Sequence, residues 1–306
     1  MKNNLKGFLF LLPAILLVIV FIILPFAFAI GEAFKVKNSL IFSQFSLGTD
    51  NFTTVANERL FLISFRNSNF LLFITMPITL LFSLWFAFLI NSLKIKWLKK
   101  LITTTYFSQF FVSIYAIGMS FIFLFDVDKN VFNQIFNTNI RFSDDSQGFT
   151  SLLTLSIFLA WRLFSFNFIF IYFSLAKISE QKIAMAKLDN LNFINRWKHL
   201  YYPEIRKTLI MLIYLNMLEA VFLFPDAIFK DPSGILLYDA STLANYIYYW
   251  LTTGPDYAKA AVGSIFTILY LIGLVSFYFS IKFTVKVIKN GGIKNVWKLK
   301  FMKQKN

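Results

Sequence analysis

The stretch "KIAMAKLDNLNFINRWKHLYYPE", residues 182–204, interrupts a chain otherwise dense in Phe, Leu and Ile. Ile183, Ala186, Asn190, Phe193, Trp197 and Leu200 step by three or four, which puts them on one helical face. Lys182, Lys187, Asn195, Arg196 and Lys198 fall mainly off that face. The pattern breaks at Asn190-Leu191-Asn192. Asn is the non-glycine residue that best tolerates a left-handed turn, and Asn192 can cap a following helix. Pro203 is expected to end the second helix, because the residue before proline avoids helical backbone. The segment therefore reads as helix, turn, helix, stop, with small residues Ala184 and Ala186 near its tip. Two readings fit this pattern. One is an amphipathic strip lying on lipid headgroups. The other is a rigid knob gripped by a second protein.

The rest of the chain decides the class. Of 306 residues, 58% are hydrophobic, 41 are Phe, and the mean hydropathy is +0.65. A water-soluble domain of this size does not need so many apolar side chains. Long unbroken apolar runs are the sequence form of membrane helices, so the expected class is an all-α integral membrane protein. The net charge of +15 excludes little by itself. Its lysines lie between apolar runs and at the chain ends, which is a membrane distribution rather than a nucleic-acid one. The absence of Cys excludes disulfides and thiol chemistry.

Six apolar runs are long enough to span: 7–30, 69–91, 101–125, 150–176, 208–225 and 260–283. The first ends near Ala27-Phe28-Ala29, a small-x-small pattern found at signal-peptide cleavage sites, but its apolar core favours an uncleaved span. Of the 30 basic residues, 21 fall on one side of these runs. They are grouped near the N-terminus, at Lys94–Lys100, at 177–207 and from Lys282 onward. The opposite side holds most acids, among them Asp126, Asp128, Asp144, Asp145, Asp226, Asp231, Asp239 and Asp256. The positive-inside rule then makes both termini cytoplasmic, in a multi-pass cell-membrane protein. It also makes 182–204 a cytoplasmic loop. Residues 243–251, "LANYIYYWL", are too short to cross and suit an outer interface.

Arg162 and Glu219 lie inside apolar runs, where ionisable groups are costly and face a cavity or a partner. Asn167 and Asn216 add amides in the same runs. Arg162 shares a helix face with Phe166, and Asn216 with Glu219. These residues fit an ion pair between two helices, a translocation path, or both. No G-x-x-x-x-G-K-[ST] is present, so no P-loop is expected, and no His, Asp or Glu cluster has metal-ligand spacing. No nucleophile and base pair supports an enzyme. An ion-coupled secondary transporter using Arg162 and Glu219 is the alternative of another class.

The segment "ISEQKIAMAKLDNLNFINRWKHLYYPEIRK", from Ile178, resembles the EAA loop of ABC-importer permeases of the carbohydrate type. Ile178, Ala186, Asp189, Trp197, Pro203 and Arg206 match that family's positions. Ala184 stands where the family has Glu, Met185 where it has Ala, Asn190 where it has Gly, and Ser179 where it has Pro. "LLPAILLVIVFIILPFAFAI", "DNFTTVANERLFLISFRNSNFLLF" and "PDYAKAAVGSIF" resemble the family's first span, its outer segment before span two and its entry to span six. "WRLFSFNFIFIYF" and "FLFPDA" are similar to the glycerol-3-phosphate branch.

The resemblance implies a type I importer permease with six transmembrane helices and a cytoplasmic helix-turn-helix coupling loop. Its expected organisation is a first helix and outer loop over 1–66, a core over 67–283 that holds the loop at 178–206, and a basic tail over 284–306. It assigns Ala184, Met185, Ala186, Asp189, Asn190, Phe193, Trp197 and Pro203 to contact with an ATPase. It assigns Arg162, Phe166, Asn167, Asn216 and Glu219 to the substrate path. The implied solute is of the carbohydrate class, with sn-glycerol 3-phosphate first and an oligosaccharide second. The implied partners are a second permease, two ATP-binding subunits and an outer substrate-binding protein, besides membrane lipid. ATP and Mg are expected on the ATPase, with no cofactor on this chain.

Overall fold

The computed structural model describes residues 2–37, 45–125, 130–140, 142, 149–229 and 232–289. Asp126, Asp128, Asp144, Asp145, Asp231 and the basic tail from residue 290 lie outside the described residues. Helix α1 (Lys2–Val18) runs through a π-helical turn at Ile19–Ile23 into α2 (Leu24–Ala33). Strands β1 (Lys35–Lys37) and β2 (Phe45–Leu47) pair antiparallel with Val36 opposite Ser46. Next come α3 (Asp50–Ala56) and α4 (Arg59–Phe70), and a second π turn at Leu71–Thr75 leads into α5 (Met76–Ser92). Helices α6 (Lys96–Ser108) and α7 (Ile114–Phe125) flank a 3₁₀ turn at Gln109–Phe111. Then follow α8 (Val131–Phe136), α9 (Phe149–Ala176), α10 (Glu180–Leu188) and α11 (Phe193–Arg196). A third π turn at Trp197–Tyr201 enters α12 (Tyr202–Val221), before α13 (Pro232–Leu237), α14 (Leu243–Thr252) and α15 (Tyr257–Lys289).

Each π turn stands directly before a helix whose second residue is proline: Pro25, Pro77 and Pro203. Proline lacks an N–H, and its ring crowds the carbonyl four residues back. Widening the preceding turn relieves that crowding without breaking the helix. This corrects one expectation. Pro203 does not end a helix; the chain passes through it from the polar loop into α12.

The protein is a mostly helical membrane protein. Among the described residues, four helices are long and apolar enough to cross a bilayer: Phe10–Ala33, Arg59–Ser92, Phe149–Ala176 and Tyr257–Thr284. Run three of the sequence is not straight. Lys96–Phe111 and Ile114–Phe125 meet at 103°, and they make a fifth candidate if taken as one broken span. Run five falls in α12, whose 20 residues include Glu204, Arg206, Lys207 and Glu219. Those charges keep it out of the apolar set.

By contacts the chain forms two compact units, residues 1–55 with 254–306, and residues 56–253. Residue 66, the sequence-drawn limit of the first segment, lies within α4. In the first unit α15 packs on α2. Asn51 Nδ2 ties the hairpin to that helix end by donating to the carbonyls of Ala33 (3.0 Å) and Lys35 (2.9 Å).

In the second unit α9 is the axis, with 61% of its span window buried, against 0% for Phe10–Ala33 in the first unit. Its largest interface is with α5. Thr75, Thr79, Ser83 and Ala87 recur every four residues and are all buried. Small residues at that spacing let two helices approach closely. Ser83 Oγ shares its proton between the Thr79 carbonyl (2.8 Å) and the Phe164 carbonyl of α9 (3.1 Å). Phe86, Tyr106, Phe164 and Phe168 then interlock, with ring centroids 4.9–6.5 Å apart, and hold α6 to the same axis.

Helix α14 does not lie free at an interface. Leu243, Ala244, Asn245 and Tyr246 are buried, and the helix packs on α4. Tyr246 Oη donates to Glu58 at 2.6 Å, and Asn67 Nδ2 donates to the carbonyls of Asp239 (2.6 Å) and Ser241 (2.8 Å). A buried tyrosine hydroxyl and a buried amide need such partners.

The α5–α9 seam has no room for a large side chain. Ala87→Phe is expected to lower stability by about 1–3 kcal/mol, read as a fall in the melting temperature of the full chain in detergent. Trp85→Ala, at a position 60% exposed on the same helix, is expected to leave it nearly unchanged.

Candidate functional site

Within the 56–253 unit, α9 and α12 face each other across a cavity of about 520 Å³. Arg162 and Phe166 reach it from α9, and Asn216 and Glu219 from α12. Residues 57 apart in sequence thus meet in space. Arg162 Nη2 lies 3.2 Å from Oε1 and 3.0 Å from Oε2 of Glu219. The two side chains are 35% and 40% exposed, so the pair is open to the cavity rather than sealed. A pair this accessible contributes little as helix glue, and its charges remain open to the cavity.

Asn167 is placed differently from the other four. Like Asn216 it is fully buried, but it is not part of the lining. Its Oδ1 accepts from Asn216 Nδ2 at 2.9 Å. Asn167 Nδ2 and Asn216 Oδ1 are buried without a partner among the described residues. One hydrogen bond between the two amides therefore orients Asn216, while a second donor and acceptor are left to be satisfied.

The remaining wall is apolar and aromatic, with Phe110, Phe158 and Phe166 among its rings, and Ser165 adds a hydroxyl. Gln109 also lines it, from the 3₁₀ turn at the 103° break between α6 and α7. Gln109 is inconspicuous in the sequence because run three reads as continuous. The legible signal was a glutamine flanked by Ser108 and Ser113 in the middle of an apolar run.

The loop at 178–206 has the expected turn. Asn190 is left-handed at φ 48°. Leu191 N donates to the Ala186 carbonyl at 3.3 Å, which closes the helix end around that residue. Asn192 Oδ1 accepts from Asn195 N at 2.9 Å and caps α11. The expected single helical face is only partly realised. Ala186 and Leu200 are buried, and Ile183 and Trp197 pack against the same cluster under α5 and α9. Asn190 and Phe193 point outward instead, because the left-handed residue redirects the chain between them. The outward surface carries Met185 (63% exposed), Leu188 (84%), Phe193 (74%) and Ile194 (70%), with Ala184 and Asp189 also exposed.

Two anchors hold this surface to the spans. The Trp197 ring lies 5.7 Å from Phe88 of α5, and Tyr201 meets the same ring edge-on at 5.0 Å. Lys182 Nζ donates to Glu204 Oε1 at 2.7 Å, tying α10 to α12, and the ammonium holds the Glu204 carboxyl below its ordinary value. Among the described residues, no group of three or more His, Cys, Asp or Glu is placed to hold a metal ion.

No family model matches the chain. Relatives match over most of its length. Over 275 residues the chain is 28% identical to the probable ABC transporter permease protein MG188 of Mycoplasma genitalium, covering 88% of this chain and 84% of that one. It is 26% identical over 269 residues to the sn-glycerol-3-phosphate transport system permease protein UgpA of Shigella flexneri, covering 87% and 90%. The chain is similar, over most of its length, to ABC transporter permeases of the sugar and glycerol-3-phosphate type. Its fold is similar to that of a chain in the crystal structure of a bacterial alginate ABC transporter in complex with an alginate pentasaccharide-bound periplasmic protein. There the TM-score is 0.73 at 19% identity, over 90% of this chain and 93% of that one.

Asn167 and Asn216 give a test of the cavity wall. Asn216→Leu alone strands the Asn167 amide and is expected to destabilise the chain by about 1–3 kcal/mol. Asn167→Leu with Asn216→Leu is expected to recover most of that loss, as read by thermal unfolding in detergent.

Proposed function

We propose that this permease forms half of the translocation pathway of an ATP-driven importer for a carbohydrate-class solute. The observation that carries the proposal is the meeting of Arg162, Phe166, Asn216 and Glu219 around one cavity, anchored to a unit whose far loop presents an exposed apolar surface. In this reading six helices cross the membrane, with the bent α6–α7 pair and α12 as two of them, and both termini are cytoplasmic. A second permease completes the pathway, an outer substrate-binding protein delivers the solute, and two ATP-binding subunits hold ATP and Mg. The surface formed by Ala184, Met185, Asp189 and Phe193 docks on one of those subunits. Asn190 shapes its turn, and Ala186, Trp197 and Pro203 join it to the spans.

The mechanism is alternating access. Closure of the ATPase pair moves the loop, and the Trp197–Phe88 and Lys182–Glu204 contacts pass the movement to α5 and α12. The cavity then opens to the other side. Such a shift needs each partner to bind the two states with different affinity.

Our first solute is sn-glycerol 3-phosphate, the compound named for the Shigella flexneri relative. A guanidinium matches phosphate geometry. One observation favours a neutral oligosaccharide as the second reading. Arg162 is already paired with Glu219, so the cavity offers an anion no net positive charge, while its rings suit the apolar faces of sugars.

Asp189→Arg is expected to abolish ATP-driven uptake in cells while membrane-inserted protein stays at the parent level by immunoblot. Unimpaired uptake overturns the docking role. Calorimetry with the partner substrate-binding protein separates the two solutes, because preference for a neutral disaccharide removes the phosphate role of Arg162.

A further inference from the structure

A basic turn between α5 and α6 is used by neither the cavity nor the 184–194 surface. The helix Arg59–Ser92 has 34 residues and reaches about 50 Å, and it ends two residues before Lys94. Lys94, Lys96 and Lys100 are exposed and make no ion pair among the described residues. The sequence offers no local acid, since none occurs between Glu58 and Asp126. Lys99 is engaged differently: its Nζ donates to the Asn91 carbonyl at 2.9 Å and pins α6 to the end of α5.

Helical spacing sorts the exposed residues into two adjacent stripes. Lys96 and Lys100 are four apart on one, and Trp97 and Leu101 four apart on the next. Trp97 is 68% exposed and Leu101 54%, with Ile95 at 51% beside them. Ile102 and Tyr106 face inward to the core cluster. A cationic stripe beside an apolar aromatic stripe, at the end of a membrane-long helix, has the layout of the boundary between headgroup and acyl chain.

We propose that this turn binds an anionic phospholipid in the leaflet it faces. Lys94, Lys96 and Lys100 take the phosphodiester and its neighbouring anionic groups, while Trp97 and Leu101 lie against the upper acyl chain. Charge complementarity favours this occupant over a neutral lipid. The flanking Trp97, Ile95 and Leu101 favour it over a free anion, which gains nothing from apolar contact. This does not depend on which solute the permease carries.

The test uses the full chain in micelles of a neutral detergent, titrated with brominated phosphatidylglycerol or brominated phosphatidylcholine. Tryptophan quenching is recorded, and the contribution of Trp97 is isolated by subtracting the Trp97→Phe chain, since the protein has six Trp. The Trp97 signal is expected to quench at about tenfold lower concentration with phosphatidylglycerol. The triple change Lys94→Gln, Lys96→Gln and Lys100→Gln is expected to remove that preference, and Lys→Arg at the same three positions to keep it. Equal quenching by the two lipids overturns the proposal, as does a preference that survives the glutamine changes. Reversal of the phosphatidylglycerol effect by equimolar inorganic phosphate also overturns it, in favour of a free-anion site. So does loss of a co-purifying ATPase from the glutamine variant with its lipid preference intact, in favour of a protein contact.

Discussion

The close contact of α5 with α9 is the constraint on which the larger unit depends. Thr79, Ser83 and Ala87 remove side-chain bulk along one line, and the Ser83 hydroxyl reaches a carbonyl of the neighbouring helix. In a bilayer, lipid tails compete for apolar faces as well as protein does, so shape and hydrogen bonding decide which helices pair. With α9 fixed against α5, it also meets α12 and the bent α6–α7 pair. That arrangement brings Arg162 to Glu219 and Asn167 to Asn216.

The polar loop is an extension of the same framework. Its buried side enters the cluster of Ala87, Ile90 and Leu175, and Trp197 and Tyr201 clamp Phe88. Its outward side keeps four large apolar residues exposed. The π turn before Pro203 carries the loop into α12 without a break. In the function proposed here, that continuity joins the surface facing the ATPase to the helix bearing Glu219.

Some of this was legible residue by residue. Asn190 and Asn192 act through their own backbone and nearest neighbours, so local chemistry identified both the turn and the cap. Arg162 and Glu219 stood out because charge is rare inside apolar runs. Other features were hidden because they depend on direction. An apolar run has the same composition whether straight or bent by 103°, and so Gln109 is inconspicuous at the corner. Proline near a helix start reads as a stop until the preceding turn is seen to widen. Phe193 fits the buried face by count, yet a single left-handed residue before it turns it outward.

The sequence by itself determined the class, the uneven placement of basic and acidic residues, the helix-turn-helix loop and the rare ionisable and amide residues inside apolar runs. Those follow from hydropathy, charge placement and local backbone preference, each acting over a few residues to one span. The tertiary structure decided which charges meet, which amide stays out of the cavity lining and which face of the loop is free. Those outcomes depend on how helices distant in sequence pack, and packing is settled by side-chain volume across an interface rather than by pattern along a chain.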